Sequence, residues 1–279
     1  MGFAAGLRSL AIYQTLAHNA RCALARDLAN ALGDDYRPAP VLRGTAHLAA
    51  VVHTPSGTEL VAIPGGTYVM GFRPEEHALM RSLTYGEAEY MRGILDAIAA
   101  SAPPRIATVA PFLCARAPLL RDAAWQLLGA EAGWVVGDED SARAPIRFEK
   151  DTATALVAML PFRLMTDAEW EYVAREGGAL AFINGATPAQ ATAACDAVYA
   201  AAYDPERVDA GTNGFGVWGL PWGDWLATAD APRTPAFVRG GAAMSYPWQS
   251  DELPMQLCAL GNDGCANDEN GVRFALDLP

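Results

Sequence analysis

The stretch Pro161–Gly178, which reads PFRLMTDAEWEYVAREGG, constrains the fold more than any other part of the chain. Thr166 stands where a helix N-cap is needed and Glu169 follows three residues later, so a hydroxyl and a carboxylate can each bond a free backbone N–H. Gly177 can take the left-handed conformation that ends a helix. One face at helical spacing carries the side chains of Trp170, Val173 and Ala174. The stretch therefore predicts a sharply started core helix with one buried face.

Further motifs lie on both sides of this helix. They read IPGGTYVMG at Ile63–Gly71, VAPFLCARAPLL at Val109–Leu120, NGFGVWGLPWGDW at Asn213–Trp225, VRGG at Val238–Gly241 and GVRFA at Gly271–Ala275. Together with the helix motif they resemble, in the same order, the motifs of the formylglycine-generating enzyme family, also called sulfatase-modifying factors. The resemblance extends over residues 59–279. An ordered set of this kind is far more specific than any one of its motifs.

The resemblance implies an α+β fold of the C-type-lectin-like, formylglycine-generating-enzyme type, loop-rich with small antiparallel sheets. The 26 glycines and 19 prolines fit such a chain because they punctuate it into short runs. We expect an N-terminal helix and linker over residues 1–45 and the C-type-lectin-like domain over residues 46–279. The β-rich runs around Thr54–Gly57 predict a hairpin, and residues 74–100, which resemble an insertion, are expected to be mostly helical.

Residues 7–32 predict an amphipathic helix that ends at Gly33. Its helical period is carried by Leu10, Leu24, Leu28 and Leu32. Such a helix can dock on the domain or form an oligomer contact, and docking is the expectation that we favour. The concentration of tryptophan at Trp218, Trp222, Trp225 and Trp248 predicts packing in a loop-rich region, since each indole buries a large area.

The resemblance also implies copper(I) chemistry, in which two family cysteines shortly after an R-G-G-S motif hold the metal that oxidises a substrate cysteine. Counted from Gly241, these two positions fall on Ser245 and Ser250. A soft monovalent cation needs soft thiolates, and a serine hydroxyl is a poor replacement. Cys258 and Cys265 lie further along with a different spacing. We therefore expect neither copper nor the oxidase reaction.

Calcium is left open by the resemblance. One calcium site of the family uses oxygen ligands around a D-M-x-G-N-V segment, and a hard cation needs several such oxygens. In this chain the aspartate position reads Gly219 and the block is two residues shorter. Asn213 and Asp224 remain as oxygen donors, although such residues also serve in turns and caps. We expect no cofactor, with calcium as the open alternative.

Residues 242–270 lie between the VRGG and GVRFA motifs and combine small polar residues with an aromatic pair, as a paratope does. This layout resembles the variable proteins of diversity-generating retroelements, which bind ligands through the corresponding segment. It predicts a non-catalytic protein that binds a protein or other macromolecular ligand. The candidate contact residues are Ser245, Tyr246, Trp248, Gln249, Ser250, Met255, Gln256, Asn262 and Asp263. About half of them, Met255 included, also fit an ordinary loop or core role.

The alternative is an enzyme of the sulfatase-modifying-factor superfamily, oxidoreductase-like, that uses chemistry without copper. The groups to suspect would be Glu169, Asp224, Arg239 and Ser245. None of them has an obvious acid–base partner in the sequence. A third interpretation is a degenerate structural subunit that docks through the N-terminal helix. The four histidines all lie in the first third without HxH or HExxH spacing, which argues against an iron-dependent sulfoxide synthase.

The formal charge of −12 and the single lysine, Lys150, argue against nucleic acid or an anionic membrane as a partner. No apolar run reaches transmembrane length, and polar residues interrupt the N-terminal stretch where a secretion signal would be solidly apolar. We expect a cytoplasmic protein. Its five cysteines contain no CxxC, so most are expected to be buried thiols, and only Cys258 and Cys265 are close enough in sequence to invite a bridge.

Overall fold

The computed structural model describes residues 3–71, 73–83, 96, 103–128, 145–146, 148–203, 210–240 and 270–279. The strands within these ranges are β1 (Tyr36–Pro38), β2 (Ala50–His53), β3 (Thr58–Ile63), β4 (Gly66–Met70), β5 (Arg105–Val109), β6 (Phe112–Ala115), β7 (Arg163–Leu164), β8 (Asp224–Thr228), β9 (Ala231–Arg239), β10 (Gly271–Val272) and β11 (Phe274–Asp277). The helices are α1 (Phe3–Gly6), α2 (Leu10–Gln14), α3 (His18–Leu32), α4 (Pro74–Leu83), α5 (Arg121–Leu128), α6 (Lys150–Met159), α7 (Asp167–Ala174) and α8 (Pro188–Tyr203). The architecture is α+β and loop-rich.

The largest sheet is antiparallel and has the order β1-β2-β3-β6-β11-β7. The predicted hairpin is present, with His53 of β2 opposite Thr58 of β3. The C-terminal strand β11 lies between β6 and β7, where Ala275 pairs with Cys114 on one side and Arg163 on the other. Strands β2 and β6 are buried at every position. Apart from His53 at the end of β2, both strands are apolar throughout, as expected where a sheet is covered on both faces.

Two smaller sheets complete the framework. Strands β4 and β5 form an antiparallel ribbon with Val69 opposite Ile106. The other sheet has the order β10-β8-β9, in which β10 runs parallel and β9 antiparallel to β8. This three-stranded sheet is assembled from the NGFGVWGLPWGDW, VRGG and GVRFA regions, so it brings three separate motifs of the sequence together.

Helix α7 confirms the predicted capping box. The Thr166 hydroxyl accepts from the Glu169 N–H at 3.3 Å, and the Glu169 carboxylate accepts from the Thr166 N–H at 2.8 Å. Trp170 and Val173 are fully buried, and Gly177 after the helix has a φ of 77°. The helix packs against β4, β5 and β8. It therefore links the ribbon to the three-stranded sheet.

Residues 7–32 do not form the single helix that their periodicity predicts, because tertiary bonds divide them into segments. Ser9 caps the start of α2, and the backbone N–H of Leu10 donates to the carbonyl of Gly65 at 3.1 Å. The guanidinium of Arg21, on α3, donates to carbonyls at the C-terminal end of α2 and just beyond it. These contacts compensate for the helical hydrogen bonds that the breaks remove.

The N-terminal helices pack onto the main sheet. Helix α3 contacts β1 and β2, and the buried side chains of the region are Leu7, Tyr13, Leu24, Ala25, Leu28 and Ala29. Strand β1, which lies in the predicted N-terminal segment, pairs with β2. The described part of residues 1–45 thus shares a sheet and a core with the residues after it, while the boundary at residue 45 and an oligomer contact stay predictions.

Tyr13 joins α2 to the sheet. Its hydroxyl donates to the carbonyl of His47 at 2.9 Å and accepts from the N–H of Ala49 at 2.8 Å. Burial raises the pKa of Tyr13 to about 12, whereas the pKa of a tyrosine in the unfolded chain is about 10. Between these values the unfolded state has lost a proton that the folded state keeps. The free energy of unfolding therefore falls as the pH rises through this window.

Replacing Tyr13 with phenylalanine is expected to remove this loss. Urea denaturation at about pH 9 and about pH 11 should show a decrease in the free energy of unfolding that is about 1 kcal/mol smaller in Tyr13→Phe than in the unmodified chain. At neutral pH the variant should be less stable by about 1 kcal/mol, because the Ala49 N–H loses its acceptor. Equal decreases in the two proteins would contradict the assignment.

The tryptophans of the closing region pack as predicted. Trp218, Trp222 and Trp225 are all buried. The indole N–H of Trp225 donates to the carbonyl of Phe148 at 2.8 Å, so one hydrogen bond fixes a loop to the sheet. Trp248 lies outside the described residues.

The other predicted helices are only partly covered by the structure. Helix α5 follows β6 and runs through Trp125 and Leu128. Within residues 74–100, α4 is described, and the remainder lies outside the described residues except for Asp96. In the ranges described, the structure contains no helix of sufficient length and apolarity to span a bilayer.

Two of the cysteines are buried thiols, as expected. Cys114 and Cys195 are unpaired and fully buried, and burial raises the pKa of each thiol to about 12. Neither is a nucleophile at neutral pH, since the thiolate is the reactive form. Cys22 is a partly exposed free thiol, and Cys258 and Cys265 lie outside the described residues.

Candidate functional site

All nine predicted contact residues lie outside the described residues. They are Ser245, Tyr246, Trp248, Gln249, Ser250, Met255, Gln256, Asn262 and Asp263. The structure therefore describes what frames them, namely the two ends of residues 241–269, which we call the C-terminal segment. The same holds for the copper prediction, since both of its serine positions fall within this segment.

Both ends of the C-terminal segment are held in the three-stranded sheet. The chain leaves after β9, where Arg239 lies opposite Asp224, and it returns at β10, where Gly271 lies on the other side of Asp224. Neighbouring strands are about 4.8 Å apart, so the two ends are separated by about 10 Å. The backbone N–H of Phe148 donates to the carbonyl of Asn270 at 2.9 Å and fixes the returning end. A 29-residue segment thus begins and ends on the three-stranded sheet β10-β8-β9, which we call the platform.

The chain also needs a glycine at position 240, where it leaves β9. Gly240 has a φ of 91°, a conformation that L side chains rarely adopt, and a Cβ at this position would lie 2.6 Å from the carbonyl oxygen of Leu220. The first glycine of VRGG therefore sets the direction in which the chain leaves the platform.

Asp224 forms the centre of the platform. One carboxylate oxygen accepts from the indole N–H of Trp170 and from Nε of Arg273, both at 2.9 Å. Asp224 and Arg273 are both completely buried. The other end of the guanidinium donates to the carbonyl of Trp218 at 2.9 Å. This carboxylate therefore links α7, β8 and the residue that follows β10.

A second group of charges extends from Arg239 along α7 to α4. Arg239 pairs with Asp167 and donates to Glu171 at 3.1 Å. Glu171 also accepts from Arg175 at 3.0 Å, and Arg175 pairs with Glu76 of α4. Side-chain exposure is at most 8% for Arg239, Glu171, Arg175 and Glu76, and 30% for Asp167. We refer to these five residues as the ion-pair chain.

The ion-pair chain shapes the electrostatics around it. Burial, reinforced by the negative charge of Glu171, raises the pKa of Tyr68 above its ordinary value, so this hydroxyl stays protonated and donates to the carbonyl of Ala168 at 2.8 Å. At the outer end, the hydrogen bond with Glu76 raises the pKa of Arg73. Every charge described here has a counter-charge, which is the condition under which buried charges are tolerated.

The residues suspected for an enzyme already make structural interactions. Glu169 completes the capping box and also accepts two hydrogen bonds from Arg163, at 2.7 and 2.8 Å. Asp224 and Arg239 belong to the platform and the ion-pair chain, and Ser245 lies outside the described residues. The described geometry thus gives these carboxylates a role in holding the fold.

Two of the residues at the calcium position already have structural roles. The Asn213 side chain accepts from the N–H groups of Phe215 and Val217, at 3.1 and 2.9 Å, so its oxygen closes a turn. Gly219 has a φ of 76°, and a Cβ there would lie 2.9 Å from the Pro118 ring, which explains why no aspartate is accommodated. Within the described ranges, no three His, Cys, Asp or Glu side chains form a metal-binding group.

Part of the platform and of the ion-pair chain can be predicted from the sequence. Glu171 of α7 and Arg175, which caps the end of that helix, are four residues apart, a spacing that predicts an ion pair. Arg239 stands in the VRGG motif and was suspected only of a catalytic role, whereas Arg273 stands in the GVRFA motif and had no predicted role. Glu76 could not have been found, because its pairing with Arg175 joins positions 99 residues apart.

No protein-family model and no curated protein sequence matches the chain. Among solved structures, the chain is similar to PvdO from Pseudomonas aeruginosa, with a TM-score of 0.52 and 18% identity over 87% of this chain and 99% of that one. A second match is Treponema denticola variable protein 1, with a TM-score of 0.42 and 12% identity over 88% of this chain and 100% of that one. The similarity to PvdO shows that the two chains share a fold.

Proposed function

We propose that this chain is a non-catalytic binding protein, built on a C-type-lectin-like scaffold of the formylglycine-generating-enzyme type. In this proposal the C-terminal segment carries the binding residues and the three-stranded sheet carries the segment. The ligand is a protein or another macromolecule, and binding needs no copper. The observation that carries the proposal is that both ends of the segment are fixed on one sheet, on either side of Asp224.

The interactions within the platform and the ion-pair chain support these separate roles for the sheet and the segment. Variation in a binding segment is tolerated when the framework beneath it folds independently of the residues displayed. Here the framework contains its own buried ion pairs and indole hydrogen bonds, centred on Asp224 and Glu171. These interactions join residues of the framework to one another. Changes at the nine candidate contact positions should therefore leave the framework intact.

The composition of the segment supports the proposal from the side of recognition. Tyr246 and Trp248 are aromatic residues with few rotatable bonds, which give contact area at a small entropic cost. The neighbouring serine, glutamine and asparagine side chains can donate and accept hydrogen bonds in several geometries. Such a mixture is suited to binding a macromolecular surface.

A positional scan tests the proposal. Each of the nine candidate positions is changed to all other residues on yeast-displayed full-length chain, and folding is scored by resistance to protease. We expect these positions to tolerate most substitutions, because surface changes usually alter the free energy of unfolding by about 0.5 kcal/mol or less. Asp224, Arg239 and Trp170 serve as internal references and should tolerate almost none.

The same positions can then be randomised together and the library panned against biotinylated hen egg-white lysozyme, a test antigen of no presumed relevance. Enrichment of folded binders whose sequences converge at the nine positions is the expected result. If the nine positions are as intolerant as Asp224, the segment belongs to the core and the proposal fails.

Diversification by a retroelement is a finer part of the proposal and rests on the sequence layout. It requires a near-copy of the last coding segment in the flanking DNA, differing mainly at adenines, together with a reverse transcriptase gene. Without both of these, the binding role would stand without diversification.

A further inference from the structure

Helix α3 carries a histidine and a cysteine whose side chains meet on its surface. Nε2 of His18 and Sγ of Cys22 are 3.5 Å apart. His18 is exposed and Cys22 is partly exposed. The two residues are four positions apart in a 15-residue helix, so the helix itself holds them on one face. A small ligand can therefore reach both side chains from solvent.

The separation of the two atoms matches that of two ligands in a tetrahedral zinc site. Zinc lies about 2.3 Å from a cysteine sulfur and about 2.0 to 2.1 Å from a histidine nitrogen. At the tetrahedral angle these bonds place sulfur and nitrogen about 3.5 Å apart. One cation can thus bind both atoms close to where they lie, and it would replace the hydrogen bond that now joins them. Imidazole and thiolate are also the donors that borderline and soft cations prefer.

The charges around the pair set how tightly a cation can bind. The net charge of −12 attracts cations to the protein surface. The guanidinium of Arg21, beside Cys22 in the sequence, is held by hydrogen bonds to three backbone carbonyls. Arg26 is exposed and lies one turn beyond Cys22 on the same face, so its positive charge opposes a cation there. We therefore expect weak and reversible binding.

We propose that His18 and Cys22 form a two-residue chelate for a thiophilic divalent cation such as Zn²⁺. Among the described residues, no third His, Cys, Asp or Glu completes a metal-binding group, so water fills the other coordination positions. A structural zinc site has four protein ligands. With half of that set, the dissociation constant should be about 1 to 100 μM. The site lies on α3 and does not involve the C-terminal segment, so its test is separate from that of the proposed binding function.

Titration of the reduced, full-length chain with Co²⁺ and then Zn²⁺ tests the proposal. Co²⁺ is the first probe because a thiolate-to-cobalt charge-transfer band in the near ultraviolet reports a cysteine ligand directly. We expect this band to appear with Co²⁺ and to be lost when Zn²⁺ is added in excess. Binding should strengthen as the pH rises, because the thiol must lose its proton. The absence of a charge-transfer band at about 1 mM Co²⁺ would overturn the proposal.

Variants on α3 locate the site. Cys22→Ser should remove the band, and His18→Ala should weaken Zn²⁺ binding at least about tenfold, because each removes one of the two donors. His18→Ala/Ala20→His is the matched control: it keeps one imidazole and one thiol, but residues two apart do not face each other on a helix. This control should bind as weakly as His18→Ala. All three positions are exposed or partly exposed, and circular dichroism establishes that each variant is folded.

Two results would contradict the chelate. A charge-transfer band of unchanged intensity in Cys22→Ser would place the cation at another thiol. Equal Zn²⁺ affinity in His18→Ala/Ala20→His and the unmodified chain would show that the spacing of the two donors does not matter.

Discussion

Replacing Asp224 with alanine is expected to lower the free energy of unfolding by about 3 to 5 kcal/mol, because it leaves a buried guanidinium without its counter-charge. Arg273 and Asp224 are both fully buried, and their contact is 2.9 Å. The substitution also removes the acceptor of the Trp170 indole N–H. Urea denaturation followed by tryptophan fluorescence measures the change.

Two further variants make this experiment specific. Asp27→Ala changes an exposed carboxylate on α3 and should change the free energy of unfolding by about 0.5 kcal/mol or less. The double variant Asp224→Ala/Arg273→Met removes both charges, so its loss of stability should be clearly smaller than the sum of the two single losses. A loss of less than about 1 kcal/mol in Asp224→Ala would show that the buried pair does not hold the platform.

Local features of this fold could be predicted from the sequence because their causes are local. The capping box needs only Thr166 and Glu169, three residues apart, and the structure places both hydrogen bonds as predicted. The β2–β3 hairpin likewise follows from two β-rich runs around a four-residue turn. In both cases the residues that make the interaction are neighbours in the sequence.

Other features depend on contacts between residues that are far apart in the sequence. The periodicity of residues 7–32 is helical throughout, yet the chain breaks because Leu10 finds a backbone partner at Gly65. The ion-pair chain is similar, since Arg239 and Asp167 are 72 positions apart. Helical period and capping residues report what one segment prefers, whereas these partners become known only when the segments have been packed.

The candidate site combines both situations. The VRGG and GVRFA motifs identify where the C-terminal segment begins and ends, but they do not show that Arg239 and Gly271 lie on opposite sides of the same residue. That placement turns a stretch of mixed composition into a segment with a defined support.

Glu171 is the residue at which the contribution of the ion-pair chain to holding the C-terminal segment can be tested. Its carboxylate accepts from the Gly71 N–H at 2.8 Å, from Arg175 at 3.0 Å and from Arg239 at 3.1 Å. Glu171→Ala removes a buried counter-charge from both Arg175 and Arg239. We expect a loss of about 3 kcal/mol in the free energy of unfolding, at the lower end for a broken buried pair because Glu76 and Asp167 still balance part of the charge.

Hydrogen exchange distinguishes a local effect of this substitution from general weakening. In Glu171→Ala, the amide of Gly71 loses its acceptor and should exchange faster than the loss of global stability alone allows, as should the amides of β9 next to Arg239. Glu75→Ala is the matched control: its carboxylate is exposed and lies 3.9 Å from Arg73, so the change should stay within about 0.5 kcal/mol. Uniformly faster exchange across the chain, with no excess at Gly71 or β9, would mean that Glu171 stabilises the fold without specifically holding the exit of the C-terminal segment. A local excess at these amides would instead make the ion-pair chain the element that couples α4 and α7 to the proposed binding segment.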